Sequence, residues 1–351
     1  MTKQRRTSER SASVDLRSLA EYVEQFAGKR VLLLGDFVAD EFQFGEISRV
    51  SREAPVLILR HRETRVLPGG GANAANNFAA LGARVSAVSV VGDDAAGDAL
   101  LAEFRRKKVD VSGVLRAKGW ATPTKSRFLA GWTHTVSQQV LRVDREPETP
   151  LPEHVRKNLQ QALRSRLRTA DALAVSDYGF GVAIPELLAS VTRGRSGRIP
   201  VTVDSRYSLH AYARSGATSA TPNESELEAL HAVRIGKDLL TLLHCGEATR
   251  HKLRLRALLV TRGKDGMALF ERSGVMHIAV HGSDQAVDVT GAGDTVLAAY
   301  TLGLACGASP FESAHIANIA GGLVVMKRGT ATISREELLE AIHGEAAGAA
   351  H

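Results

Sequence analysis

Short, largely apolar runs separated by helix-like stretches constrain this chain most. Val31-Leu-Leu-Leu34, Val85–Val91, Ala172–Ser176, Val201–Val203 and Ala257–Thr261 have the length and β-branched content of strands buried on both faces. Between and after them come segments with helical spacing: Asn73–Leu81, ended by Gly82, then Ala95–Lys107 and Glu153–Leu167. Further helices are expected from Glu224, near Gly291 and from Pro310. Strand–helix alternation of this kind builds parallel βαβ units, so the fold expected is a three-layer αβα domain around a mainly parallel sheet. Phe42–Arg60 and Thr124–Val143 break the rhythm. They are strand-like with few helix signals, which suits a small β lid of residues 42–60 and 124–143 over one end of the domain.

The remaining organisation is simple. Residues 1–13 are rich in Arg, Ser and Thr without an apolar stretch, and read as a disordered basic tail rather than a secretory signal. Residues 14–343 form the expected domain, and 344–351 a flexible Ala/Gly-rich tail. Cys245 and Cys306 lack ligand-like or disulfide-framework spacing, which suits a reduced cytoplasmic setting. The net charge is +7, yet no helix-turn-helix, zinc or aromatic-basic RNA signature accompanies it. A nucleic-acid partner is therefore not expected, nor a membrane one, since no apolar stretch is long enough to span.

The strongest chemical feature is Asp288-Val-Thr-Gly-Ala-Gly-Asp294, followed by the apolar run Thr295–Tyr300. Gly291 and Gly293, on either side of Ala292, let the backbone turn sharply, and the run after them makes a helix. The loop thus sits at a helix N-terminus, where unpaired N–H groups favour an anion such as a phosphoryl group. Asp294 in that turn is placed to accept a hydroxyl proton, the division of labour that phosphoryl transfer needs. A first-turn acid is common without any such role, and the other motifs decide the matter. No Gly-x-x-x-x-Gly-Lys-[Ser/Thr] is present, which disfavours a P-loop.

From about Arg30 to Ser334 the chain resembles the PfkB/ribokinase family of carbohydrate kinases. The resemblance is carried by the 288–294 run and by Pro68-Gly-Gly-Gly-Ala-Asn-Ala-Ala-Asn76 through Gly82. It implies Asp294 as catalytic base with Gly291, Ala292 and Gly293 around it, and ATP with Mg²⁺. It also implies sugar contacts from Gly69, Gly70, Gly71 and Asn73. Asp36 and Asp40 in Gly35-Asp-Phe-Val-Ala-Asp40 match acids that hold sugar hydroxyls; carboxylates are good acceptors for a diol, and Asp40 has the better claim. Asn223-Glu-Ser-Glu226 resembles the motif that organises magnesium and phosphate, with Glu226 acting through water. The same pair is also a capping-box pattern that needs no metal. Thr261 and Gly263 resemble the nucleotide-phosphate loop and Asn318 the adenine side, while a monovalent cation near Asp288 and a homodimer stay open.

Four segments resemble, more narrowly, the D-glycero-β-D-manno-heptose 7-phosphate 1-kinases of ADP-heptose synthesis: Ser48–Val56, Gln138–Asp144, Asp177–Gly181 and Ala317–Val325 leading to Thr330. Asp204-Ser-Arg206 departs from the Asp-Pro-Lys expected there, and Ala130–Val136 is longer than expected. A phosphosugar needs paired positive charge, for which Lys125, Arg142 and Arg206 are the candidates, with Asp144 beside them. Ketose phosphate, ribose or nucleoside acceptors, and a silent sugar- or nucleotide-binding regulator, are the alternatives.

Overall fold

In a strand buried on both faces, alternate side chains enter opposite cores, and Val31–Leu34 does this. The computed structural model describes residues 14–132, 137–193, 199–282 and 286–348. In it Val31 and Leu33 join one core and Leu32 and Leu34 the other. This run lies in β1 (Arg30–Gly35), at the heart of a nine-stranded sheet. Towards one edge come β4 (Arg84–Gly92) and β5 (Asp110–Ala117). Towards the other come β8 (Ala172–Asp177), β9 (Val201–Ser205), β10 (Ser219–Ala220), β11 (Ala257–Thr261), β12 (Met267–Glu271) and β13 (Gly274–Ile278). All neighbours run parallel up to β11, and β12 and β13 close the edge antiparallel.

Helices cover both faces. The core containing Val31 and Leu33 is closed by α1 (Leu16–Glu24), α2 (Gly71–Ala80), α3 (Ala95–Arg106), α8 (Ala292–Ala305), α9 (Pro310–Val324) and α10 (Arg335–Gly348). The other is closed by α4 (Glu153–Arg166), α5 (Pro185–Thr192), α6 (Glu224–His231) and α7 (Leu239–Leu253). The expected three-layer arrangement is present. The last helix runs on to Gly348, past residue 343, where the sequence suggested that a flexible tail begins. Residues 1–13 lie outside the described part.

The two segments that broke the alternation form a second, four-stranded sheet in the order β3 (Leu57–Gly70), β2 (Phe37–Val50), β6 (Thr124–Gly131), β7 (Gln138–Arg145). Its base is buried at Phe37–Asp40 and its far end is exposed. Of the long segment Ala130–Val136, residues 133–136 lie outside the described part.

The lid and the main sheet meet where β1 turns into β2 and β3 turns into α2. There the N–H of Gly71 donates to the carbonyl of Asp36 at 2.8 Å. A Cβ on Gly71 would stand 2.9 Å from Gly35 Cα and 3.0 Å from the Asp36 carbonyl oxygen, both backbone atoms that cannot turn aside. Gly71→Ala is therefore expected to lower stability by about 1–3 kcal/mol through overpacking, read as a lower urea midpoint with an unchanged slope.

Candidate active site

Helix α8 starts at Gly291, whose φ of +79° is the left-handed turn that the glycine allows. A Cβ there would lie 2.6 Å from Asn73 Nδ2, so the absent side chain also makes room for Asn73. Asn73, in the first turn of α2, donates from Nδ2 to Asp294 Oδ2 at 2.7 Å. One turn further along α2 and at the next residue of α8, Thr295 Oγ1 donates to Asn77 Oδ1 at 2.7 Å, and Asn77 Nδ2 donates back to the Asn73 carbonyl. The two glycine-bounded motifs are thus bolted together in the interior. A Cβ on Gly293 would meet nothing within 4 Å, so that side of the turn faces open space.

Asp294 is 3% exposed. Burial pushes its pKa up to about 7, opposed by the donors Asn73 and Tyr178; Asp40 raises it further and Lys125 lowers it. Tyr178, which directly follows β8, donates from its hydroxyl to Asp294 Oδ1 at 3.3 Å. Nothing in the sequence assigns Tyr178 this contact, although the segment that contains it stands out there.

Asp36 differs from expectation. Its Oδ2 accepts the backbone N–H groups of Tyr178 (2.8 Å) and Phe180 (3.0 Å), and its Oδ1 those of Val182 (2.9 Å) and Ala183 (3.2 Å). Both oxygens are spent on the loop after β8, and the residue is fully buried. Asp36 is a brace for that loop rather than a sugar ligand. Burial and then the Asp177 carboxylate push its pKa up to about 6, against these N–H donors.

The inner face of the lid is charged because residues two apart on a strand share a face. Asp40 pairs in register with Lys125, Phe42 with Arg127, Lys125 with Asp144 and Arg127 with Arg142. Asp40 is not a free acceptor: Arg127 Nη1 donates to its Oδ1 at 2.6 Å, and the Arg127 guanidinium lies 5.2 Å from the centre of the Phe42 ring. A Cβ on Gly69 would stand 2.5 Å from Asp40 Oδ2, so that glycine yields its space to the carboxylate. Gly70, at φ +55°, packs its Cα side against Val38 and the Tyr178 ring. Arg142 forks onto Asp144 at 2.7 and 2.6 Å. Under this face lies a cavity of about 600 Å³ whose cations are Lys125, Arg142 and Arg206. Burial pushes the Lys125 pKa below its ordinary value against the pull of Asp40, and Arg206 and Arg142 lower it further.

On the other side of Asp294, Asn223 caps α6. Its Oδ1 accepts the Glu226 N–H at 2.8 Å, and Glu226 Oε2 accepts the Asn223 N–H at 3.0 Å. The capping box is real, and it leaves Glu226 Oε1 outside it. Burial raises the pKa of Asp204 well above the carboxylate range, with Glu226 and Asp294 adding to the rise; burial raises Glu226 as well. Two destabilised carboxylates are what a hard cation relieves, so the residues fit Mg²⁺ held through water by Glu226. Among the described residues no cluster of three or more His, Cys, Asp or Glu could hold a metal directly. Thr261 ends β11 beside Asn223. Gly263 follows at φ +54°, and Arg262 anchors this turn to α6 through Glu224 at 2.6 Å. Asp288 accepts the N–H groups of Thr290 and Gly329, both at 2.9 Å, and so ties the loop before α8 to the end of α9. Asn318 donates to the Ala279 carbonyl at 2.8 Å, fixing α9 to the strand end after β13. The sequence suggests nucleotide contacts for Asp288 and Asn318, and both side chains also brace the fold.

A family model described as pfkB family carbohydrate kinase matches residues 33–337. Bifunctional protein HldE of Geobacter metallireducens is 41% identical over 88% of this chain and 62% of its own length. That of Mesorhizobium japonicum is 38% identical over 93% of this chain and 65% of its own. The chain therefore spans less than two thirds of these curated relatives. Among solved structures, Arabidopsis thaliana ribokinase with ribose and ATP superposes with a TM-score of 0.67 at 21% identity, covering 90% of this chain and 99% of that one. Escherichia coli phosphofructokinase-2 with fructose-6-phosphate gives 0.70 at 20%, over 90% and 99%. At such identities the structures establish the shared fold.

Asp36→Ala would strip the acceptor from four backbone N–H groups. Expected is a loss of at least about 3 kcal/mol of folding stability, measured by urea unfolding and accompanied by faster proteolysis of the 178–183 loop.

Proposed function

The chain belongs to the pfkB family of carbohydrate kinases, and on that basis we propose that it transfers the γ-phosphoryl group of ATP to the anomeric hydroxyl of D-glycero-β-D-manno-heptose 7-phosphate. The observation that carries the reading is Asp294. It is a buried carboxylate in the first turn of α8, hydrogen-bonded to Asn73 and to Tyr178, which lines the cationic cavity. The heptose assignment is supported by the four subfamily segments and by the relatives named HldE.

In this reading the sugar lies between the lid and the C-terminal ends of β1 and β8. Its phosphate faces Lys125, Arg142 and Arg206, and the Gly69–Asn73 turn closes over the ring. Asp294 accepts the proton of the attacking hydroxyl. The N-terminus of α8, from Gly291 through Gly293, stabilises the charge on the transferring group. ATP lies along Asn223, Thr261, Gly263 and the start of α9, with its γ-phosphate towards Gly293. Glu226 would hold Mg²⁺ through water, and the bound ion would supply charge neutralisation for the phosphates. Within this chain the proposal covers the kinase step alone.

We also propose a homodimer through the lid sheet, where Val50, Leu57, Val140, Leu141 and Val143 are exposed. The free thiols Cys245 and Cys306 support a cytoplasmic setting. Among the described residues no helix is long and apolar enough to cross a membrane.

Turnover is tested by ATP consumption over a panel of sugars and sugar phosphates that includes heptose 7-phosphate, ketose phosphates and ribose. Preference for another sugar would replace the heptose assignment, and saturable binding without turnover would favour a regulator. Asp294→Asn is expected to lower kcat by about 10²–10⁴-fold with little change in sugar affinity. The base must be ionised, and its pKa lies near 7. The wild-type kcat/KM is therefore expected to fall about tenfold per pH unit below that point and to level off above it. Arg206→Ala is expected to raise KM for the phosphosugar about 10- to 100-fold while leaving KM for ATP unchanged.

A further inference from the structure

We infer that Tyr178 is a positioning residue for this reaction: its hydroxyl holds Asp294 ionised and turned towards the sugar. The inference rests on Asp294 being the base. Two donors reach that carboxylate, and they are unequal. Asn73 binds Oδ2 at 2.7 Å and Tyr178 binds Oδ1 at 3.3 Å. Oδ2 is therefore tightly held, and Oδ1, held by the longer bond from the phenol, is the oxygen left to take the hydroxyl proton.

The Tyr178 ring is itself fixed from three sides. The N–H of Tyr178 is clasped by Asp36 at 2.8 Å, in a loop that Asp36 also clasps at Phe180, Val182 and Ala183. Gly70 packs against the ring, where a Cβ would stand at van der Waals distance from Tyr178 Cδ2. Lys125 of the lid lies over the ring, with Nζ 5.8 Å from its centre. The phenol thus stands between the lid cation and the base, and it also lines the cavity proposed for the sugar phosphate.

A donor to a buried carboxylate favours its charged form. The other groups that act on Asp294 come from several elements: Asp40 on β2 raises its pKa, Lys125 on β6 lowers it, and Asn73 on α2 lowers it. Asp204 on β9 interacts with it as a like charge, and the N-terminus of α8 favours its anion. Burial and the nearby Asp294 and Asp204 carboxylates keep the Tyr178 phenol protonated by raising its own pKa, against Arg206. Tyr178 therefore remains a donor while Asp294 titrates.

The test is the pH profile of kcat/KM for the sugar in Tyr178→Phe, which keeps the ring and the backbone clasp. Expected is an upward move of the acid limb by about one pH unit, a loss of about tenfold near pH 6, with recovery near pH 9 and an unchanged KM for ATP. An unmoved profile, or an equal loss at every pH, overturns the inference. If the variant does not fold, 3-fluorotyrosine at position 178, a stronger donor, must move the limb downwards, and no movement overturns it. Asp294→Asn separates the two readings. Wild-type turnover in that variant removes the base and the inference together. An inactive Asp294→Asn beside an unmoved Tyr178→Phe profile removes the inference alone.

Discussion

The hydrogen bond from Asn73 to Asp294 joins the first turns of two helices whose motifs lie 221 residues apart in sequence. Each helix begins at a glycine with positive φ, Gly70 and Gly291, so neither side chain crowds the junction. The Thr295–Asn77 bond makes a second connection, from the next residue of α8 to the next turn of α2. A buried carboxylate without such donors would be too costly to keep charged. With them it stays near the point of ionisation, which suits a group that must gain and release a proton. Placing both helix N-termini at one spot also concentrates their dipoles where phosphate charge is expected.

Around that junction, several carboxylates hold loops. Asp36 gathers the 178–183 loop and Asp288 the loop before α8. Asp177 collects the hydroxyls of Ser205, Ser208 and Tyr212. These segments leave the C-terminal ends of parallel strands, or lead into helix starts, where backbone groups lack regular partners. Carboxylates supply the missing acceptors. The lid contributes differently. Its parallel contact between β2 and β6 sets Asp40, Lys125 and Arg127 on one face, and β7 adds Arg142 and Asp144. The cavity is therefore polar on the lid side and walled by glycine and aromatic residues on the other.

Much of this was legible in the sequence. Buried strands announce themselves by short, largely apolar runs, and β1, β4, β8 and β11 fall where those runs lie. The lid was legible as a break in the βα rhythm. Short elements such as β10, and the β12–β13 hairpin, were not, because their local patterns do not differ enough from loops. The site was legible as a set of motifs, since glycine pairs before a helix and an acid in its first turn have local physical reasons. Arg127 and Tyr178 were not legible as site residues: an arginine on a strand and a tyrosine in a loop carry no local signal of the carboxylate each one meets.

What the sequence by itself determined is the layer architecture, the β lid and the chemistry available at the turn ending in Asp294, because periodicity and glycine placement act locally. Tertiary structure alone decided which carboxylates remain for chemistry. In the sequence Asp36 looks like a loop acid and Asp294 like a first-turn helix acid, and neither pattern tells which is free to react. Asp36 meets four backbone N–H groups from a loop more than 140 residues away and is used up by them. Among the described residues Asp294 meets two side-chain donors, one short and one long, beside an open turn. The number of donors that the fold aims at a carboxylate separates a fully engaged brace from a carboxylate with capacity left, and that number is a property of long-range packing.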